Sequence, residues 1–142
     1  IRPVLGQAVR IQLPEPLGNA DFQPVITGED VHLVPLGNHQ YWVGATVEFP
    51  DAEQLSSIEP NPKLLDQVMQ QAIAQCPAVA KATIVDQWFG LRPRPEGRPA
   101  PIIEPLPGFA NVILATGHYR NGVLLAPATA AKVRDAIALS ST

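Results

Sequence analysis

The stretch "EDVHLVPLGNHQYWVGATVEF", residues 29–49, decides the fold class. Two runs rich in β-branched and aromatic residues lie on either side of Gly37-Asn38. Because a Gly-Asn pair between such runs is a tight-turn signal, this stretch predicts a β-hairpin. In the second run, period-2 alternation separates an apolar face from Trp42, Thr46 and Glu48. The apolar face holds Tyr41, Val43, Ala45, Val47 and Phe49.

A strand and a helix are predicted on the two sides of the hairpin. The run "VLGQAVRIQL" (4–13) is apolar and rich in β-formers, and Pro14 ends it. The run "NPKLLDQVMQQAIAQCP" (61–77) predicts a helix, with Asn61 as N-cap and Pro62 at the first helical position. Six of its apolar side chains fall on one stripe at helical spacing, which predicts a core-facing side. They are Leu65, Val68, Met69, Ala72, Ile73 and Cys76.

The rest of the chain predicts two strands and a second helix. We expect strands over 80–93 and 111–116 and a helix from about Gly122 to Ala138. The proline-rich segment 92–108 cannot be regular helix or central strand throughout. This order lacks the regular alternation of a doubly wound parallel sheet. The fold class expected is therefore α+β, with a mostly antiparallel sheet and flanking helices, in one domain spanning 1–142.

Composition narrows the classes of function. The 142 residues have the length of one domain, and a net charge of −3 gives no basic surface for nucleic acid. The chain has a single cysteine, Cys76, which fits a reducing compartment, so we expect a cytoplasmic protein. No apolar run reaches the length of a membrane span, so no membrane partner is expected. We assign neither a metal site nor a catalytic side chain.

The stretch "ATGHYRNGVLLAP", residues 115–127, is the strongest candidate for a binding site. A strand that passes through a glycine turn into a helix leaves backbone N–H groups unbonded at the positive end of the helix dipole. Such a terminus suits a phosphate, or a ring oxygen that gains negative charge. Gly117 and Gly122 allow close approach of a flat ligand, and Arg120 adds a full charge. The alternative is a capped surface loop.

Longer strings resemble a known family. The runs "WFGLRPRPEGRPAPI" and "NVILATGHYRNGVLLAPATA" resemble the C-terminal half of the FAD-dependent amine and amino-acid oxidases, the D-amino-acid oxidase family. The similarity is greatest to the glycine oxidases of thiamine biosynthesis and extends back through "YWVGATVEF" to "IRPVLGQAV". It implies oxidation of glycine, or another small amino acid or amine, to the imine, with hydride transfer to flavin N5 and H2O2 as product. Sarcosine oxidases attach their flavin through a cysteine, whereas Cys76 lies on a helix stripe. We therefore expect noncovalent FAD.

The resemblance also implies roles for individual residues. Arg92 falls where the family clamps the substrate carboxylate, whereas without the resemblance an arginine that ends a strand is more often solvated. Arg120 lies close to both substrate and flavin. His32 and Val47 line the substrate site where glycine oxidases carry tyrosine and methionine, and His32 alone also fits a structural role. The segment that contacts the flavin comprises His118, Tyr119, Arg120, Asn121, Gly122, Val123 and Leu124.

One element of the family pattern is missing from this sequence. No G-x-G-x-x-G motif occurs, so we expect the chain to be the C-terminal part of a longer enzyme whose dinucleotide-binding domain is its partner. The chain alone should bind FAD poorly and expose apolar area on its last helix, which allows a homo-oligomer. Tyr41 and Trp88 are expected in the core rather than in contact with the cofactor. Two rival functions remain open: a same-fold dehydrogenase with a quinone acceptor, and a binding module without flavin.

Overall fold

Seven strands and two α-helices follow one another along residues 1–50 and 58–140, the part of the chain that this computed structural model describes. They are β1 (Arg2–Gln12), β2 (Ile26–Gly28), β3 (Val31–Gly37), β4 (Gln40–Gly44), α1 (Pro62–Gln75), β5 (Thr83–Arg94), β6 (Ile102–Pro105), β7 (Ile113–Thr116) and α2 (Gly122–Ser140). Five strands form a sheet in the order β2-β3-β4-β1-β5, while β6 and β7 form a second, antiparallel sheet. The pairs β2–β3, β3–β4 and β4–β1 are antiparallel. The predicted α+β fold with a mostly antiparallel sheet is confirmed.

The chain divides into two compact units. The first, here called the core unit, is Leu5–Gly90, and the second, the terminal unit, is Ile1–Val4 together with Leu91–Thr142. Strands β1 and β5 contribute residues to both units. The assignment of the whole chain to one domain stays a prediction.

The predicted hairpin is present, with its turn moved by one residue. Gly37 pairs with Gln40, so the two-residue loop is Asn38-His39, and both residues have positive φ (49° and 58°). Two positive φ values are the signature of the type I′ turn that suits twisted strands. The pairing register shifts between Pro35 and Gly37, and this irregularity displaces the turn from the predicted Gly37-Asn38.

The predicted apolar face of the second hairpin run holds only as far as Val43. Tyr41 and Val43 are buried, but beyond Gly44 the side chains change sides: Thr46 is buried, whereas Val47 and Phe49 are exposed. Strand β4 ends at Gly44, so period-2 alternation does not continue past it. The Thr46 hydroxyl is held inside because it accepts a hydrogen bond from the Gln7 backbone N–H at 2.8 Å.

Helix α1 begins and ends as predicted. The Asn61 side chain caps it by accepting from the Lys63 N–H at 3.1 Å, and Pro62 is its first residue. Its predicted stripe packs on the sheet: Leu65, Val68 and Ala72 are buried, and Met69, Ile73 and Cys76 pack against the same cluster. The sheet supplies the other side of this core, with Val9, Ile11, Val31, Leu33, Tyr41 and Val43. Each such buried Val or Leu contributes about 1.5–3 kcal/mol to folding.

Strand β5 differs from its prediction in two respects. It begins at Thr83 because a short 3-10 helix, Pro77–Lys81, precedes it. It is also the last strand in the order of the larger sheet, and most of its side chains are exposed. Trp88 is 42% exposed, so its prediction as core is wrong, whereas Tyr41 is 5% exposed and that prediction is confirmed.

The second half of the chain also contains the predicted strand and helix. Strand β7 pairs with β6, from Ile102 opposite Thr116 to Pro105 opposite Ile113. Within the proline-rich segment 92–108, only the last three residues of β5 and the four residues of β6 are strand, which agrees with its proline content. Helix α2 carries Pro127 in its second turn and exposes Val123 and Leu124, in line with the apolar area expected there. Among the described residues, neither helix is long and apolar enough to span a membrane.

Candidate functional site

The segment between β7 and α2 has a fixed backbone shape. Gly117 is buried with a φ of 73°, and a methyl group on it would lie 2.8 Å from Cγ of Pro95. Only glycine meets both conditions without strain. Tyr119 also has a positive φ, 53°, and its N–H donates to the Pro93 carbonyl at 3.1 Å. The end of β5 therefore determines where this segment runs.

The same segment starts helix α2. The Asn121 N–H donates to the His118 carbonyl at 3.0 Å, and the Asn121 carbonyl accepts from the Leu125 N–H at 2.9 Å. Because this is the first bond of the helical ladder, the amides of Gly122, Val123 and Leu124 have no acceptor within the helix. The His118 ring is anchored at the side, where Nε2 and the Thr129 hydroxyl are 2.8 Å apart. The predicted strand, glycine turn and helix start are thus present.

The terminal unit has three arginines that interact with Tyr119 or lie next to it in the chain: Arg92, Arg94 and Arg120. Arg92 lies near the end of β5 and is half-buried. Burial lowers the pKa of the Arg92 guanidinium from its ordinary value, Tyr119 raises it in part, and the charge of Arg120 lowers it again. The hydrogen bond between the Tyr119 N–H and the Pro93 carbonyl brings Tyr119 and its neighbour Arg120 to the end of β5, where Arg92 lies. The Arg94 guanidinium lies over the Tyr119 ring, 5.7 Å from the ring centre.

This arrangement suits an anionic ligand. An arginine keeps its charge at any ordinary pH, so Arg92 and Arg120 present two permanent cations. The planar guanidinium of Arg92 matches a carboxylate through two parallel hydrogen bonds. The amides at the start of α2, which follow shortly after Arg120 in the chain, add partial positive charge. Among the described residues, no group of three or more His, Cys, Asp or Glu side chains is placed to hold a metal ion.

His32 and Val47 belong to the core unit. His32 lies on β3 opposite Thr27 of β2, and its Nδ1 is 3.0 Å from the Thr27 hydroxyl. The sequence left a structural role open for His32, and this hydrogen bond fits such a role. Val47 is 37% exposed and lines a cavity of about 230 Å³ with Glu29, Asp30 and residues of α1. The substrate-binding roles of both residues stay predictions.

A larger cavity in the core unit contains none of the predicted site residues. It measures about 470 Å³ and lies beside the turn of the β3–β4 hairpin, where Gln23, His39 and Tyr41 help to line it. The Tyr41 hydroxyl donates to Oε1 of Gln23 at 2.8 Å. No sequence motif pointed to this cavity, because its lining comes from separate loops.

Sequence reasoning also missed the residues that hold the segment 117–121. Pro93, Arg94 and Pro95 each contact it, yet none was predicted to belong to the site. A signal was available for Arg94. In a strand, residues two apart point to the same side, so Arg94 shares a face with Arg92. The contact with Tyr119 itself is long-range in sequence and could not be predicted.

Comparison with known proteins gives a consistent match. A family model described as "DAO: FAD dependent oxidoreductase" matches residues 1–136. The chain is 35% identical over 141 residues to the bifunctional protein ThiO/ThiG of Trichormus variabilis, covering 96% of this chain and 20% of that protein. It is 34% identical over 131 residues to the glycine oxidase of Pseudomonas putida, covering 91% of this chain and 33% of the enzyme.

Solved structures agree with the sequence matches. The crystal structure of glycine oxidase from Geobacillus kaustophilus superposes with a TM-score of 0.77 at 28% identity. The match covers 94% of this chain and 34% of the enzyme. The chain thus spans about a fifth to a third of the length of the relatives it matches.

Proposed function

Because this chain belongs to the FAD dependent oxidoreductase family, we propose that it forms part of an enzyme that oxidises glycine, or another small amino acid or amine, to its imine. The observation that carries the proposal is the hydrogen bond from the Tyr119 N–H to the Pro93 carbonyl, which places the segment 118–121 beside the end of β5, where the half-buried Arg92 lies. Relatives that bear the name glycine oxidase match over most of this chain. Their name supports glycine as the first substrate to test.

The residues of this chain fit FAD at the start of α2. The unbonded amides of Gly122, Val123 and Leu124 suit the electron-rich edge of a flavin ring, and Val123 and Leu124 are 94% and 79% exposed. His118, Tyr119, Arg120 and Asn121 would line the same edge. We propose that FAD binds noncovalently, since the single cysteine, Cys76, packs against the core cluster. Bound FAD would supply the hydride acceptor.

In the proposed reaction the chain binds and orients the substrate. The Arg92 guanidinium would hold the carboxylate through two hydrogen bonds, which fixes the direction in which the Cα–H bond points. Arg120 would add a second positive charge that favours the anionic end of the substrate. Loss of a hydride from Cα and a proton from nitrogen gives the imine, and water then hydrolyses it. We assign no side chain as a general base.

We propose oxygen as the final acceptor, so that hydrogen peroxide is formed. The resemblance to the glycine oxidases of thiamine biosynthesis extends the proposal to that pathway. The state of the single cysteine agrees with a cytoplasmic location, which we propose on that basis.

The decisive experiment uses the whole protein that contains this chain, purified with its flavin. Glycine added without oxygen should bleach the flavin absorbance, and admitting oxygen should restore it with formation of peroxide. Arg92→Lys should raise the KM for glycine by about one to two orders of magnitude, because a lysine cannot form the paired contact. Arg134→Lys is the matched control, since Arg134 is exposed on α2 and pairs with its chain neighbour Asp135.

Each of three outcomes would overturn part of the proposal. Flavin that stays oxidised with glycine and with every other small amino acid tested would remove the activity. Flavin bleaching at the same rate in the wild type and in Arg92→Ala would show that Arg92 does not bind the substrate. Bleaching that only an added quinone reverses would replace the oxidase with a dehydrogenase.

His32 and Val47 are proposed to shape the choice of substrate. Val47 is half-exposed beside a cavity, and a valine leaves more room there than the methionine that glycine oxidases carry. Val47→Met should therefore increase the preference for glycine over bulkier amines. His32→Tyr tests the second position in the same assay, with the ratio of kcat/KM values for glycine and the bulkier amine as the readout.

A further inference from the structure

Three successive residues at the end of β5 each hold a different part of the segment 117–121. The Pro93 carbonyl accepts the Tyr119 N–H at 3.1 Å. The Arg94 guanidinium covers the Tyr119 ring at 5.7 Å. Pro95 packs so closely on Gly117 that a methyl group there would overlap its Cγ. The two prolines act through backbone and shape, so Arg94 is the one member of this group that acts through a charged side chain.

Tyr119 needs such support because of its backbone conformation. A φ of 53° is uncommon for a residue with a side chain and costs free energy unless neighbouring contacts favour it. An arginine lying over an aromatic ring is attracted to the ring face, and this attraction is available only while the ring stays in place. The contact therefore favours the left-handed conformation of Tyr119 over alternatives that would move the ring away.

Movement of Tyr119 would also move its neighbour in the chain. Arg120 follows directly, and the hydrogen bond from Tyr119 to Pro93 holds this part of the chain beside the strand residue next to Arg92. The position of Arg120 relative to Arg92 thus depends on the backbone at Tyr119. Arg94 and Arg92 are two residues apart on β5 and therefore lie on the same side of the strand. The residue that supports the Tyr119 ring is thus close in the chain to the proposed carboxylate anchor.

We propose that Arg94 is a positioning residue, which acts through the Tyr119 ring to hold Arg120 and the start of α2 in the arrangement that receives the anionic substrate. This inference rests on the proposed function for its catalytic consequence, but the structural part stands on the terminal unit alone. Its rival is a direct effect, in which the Arg94 charge simply adds to the positive potential felt by the substrate.

A double-mutant cycle separates these two explanations. In the whole protein, Arg94→Gln should raise the KM for glycine by about two- to fivefold, the scale of an exposed cation–π contact. In a Tyr119→Leu background, Arg94→Gln should cause no further change, because the ring through which it acts is gone. Arg94→Lys should recover part of the effect. Arg134→Gln, which removes an exposed arginine charge from the same unit, should leave KM unaltered.

Hydrogen exchange gives a second readout that needs no turnover. In Arg94→Gln, peptides covering residues 116–122 should exchange faster, whereas peptides of β1 should exchange as in the wild type. A raised KM that persists in the Tyr119→Leu background and fades in high salt would overturn the proposal in favour of the direct charge effect. Unchanged exchange in Arg94→Gln would overturn it as well. If glycine fails to reduce the wild-type flavin, the proposed function fails, and exchange alone then decides the role of Arg94.

Discussion

Gly117 shows how a single residue can be required for two reasons at once. Its φ of 73° penalises any side chain, and its Cα faces Cγ of Pro95 so closely that a methyl group would lie at 2.8 Å. Gly117→Ala should therefore lose about 1–2 kcal/mol for the backbone and about 1–3 kcal/mol more for the overlap. Urea unfolding measures the sum as a change in the free energy of unfolding.

Gly97→Ala separates the two contributions. Gly97 also has a positive φ, 66°, but nothing lies within 4 Å of the position that its methyl group would take. It should show the backbone cost alone. Equal losses in both variants would contradict the proposed packing between Gly117 and Pro95. The sequence predicted a glycine turn at Gly117, but not its contact with Pro95, because that partner is distant in the chain.

At the scale of the element, the N-terminus of α1 depends on a side chain that the sequence already identified. The Asn61 side chain accepts from the Lys63 N–H, while its backbone carbonyl accepts from Gln7 Nε2 and its N–H donates to Glu48. Asn61→Ala removes only the first of these bonds. We expect a loss of about 1 kcal/mol in the free energy of unfolding, and little change in Asn61→Asp, which keeps the cap. Equal stability of the alanine variant and the wild type would show that the backbone bonds suffice.

An ion pair between Glu104 of β6 and Arg98, which precedes that strand, makes the β6–β7 hairpin sensitive to acid. Arg98 donates from both terminal nitrogens to the carboxylate of Glu104, one bond measuring 2.8 Å. These hydrogen bonds hold the pKa of Glu104 below its ordinary value. A depressed folded-state pKa means that the stabilisation is present above the unfolded-state pKa and is lost as the pH falls through the folded-state value.

Amide exchange in β6 and β7 should consequently show a small extra acceleration as the pH falls below the ordinary glutamate range, after correction for intrinsic rates. The effect is small because both side chains are exposed. Glu104→Gln should remove this pH dependence. Acceleration of the same size in the variant would assign it to another carboxylate.

Local patterns predicted the elements well and their ends less well. Capping residues and the apolar stripe of α1 are encoded within a few residues, so that helix agreed with its prediction. The hairpin turn moved by one residue because of an irregularity at Pro35–Gly37, which depends on pairing between strands. The reversal of sides after Gly44 has the same kind of cause, since Thr46 is held by Gln7 of another strand. Alternation in a sequence cannot report a bond to a distant strand.

At the scale of the whole molecule, sequence alone could not show which strand would lie last in the sheet. The sequence predicted strand β5, and Trp88 was expected in the core. Most of its side chains are exposed instead, and the strand lies at the end of the order β2-β3-β4-β1-β5. The candidate site was likewise predicted only in part from the sequence. The family resemblance supplied Arg92 and the segment 118–124, but the support from Arg94 depends on how the chain folds back.

Exposed apolar side chains on α2 predict the behaviour of this 142-residue chain in solution. Val123 and Leu124 are adjacent and almost fully exposed, and contiguous apolar area of this kind favours association. In sedimentation experiments the chain should form larger species as its concentration rises. Replacing both residues with serine should shift the distribution toward monomer, because it removes apolar area where no described core residue is disturbed. Lys132→Ser, on the same helix, is the control and should change little. A chain that stays monomeric at every concentration, or associates equally with both serines in place, would show that this end of α2 does not drive association.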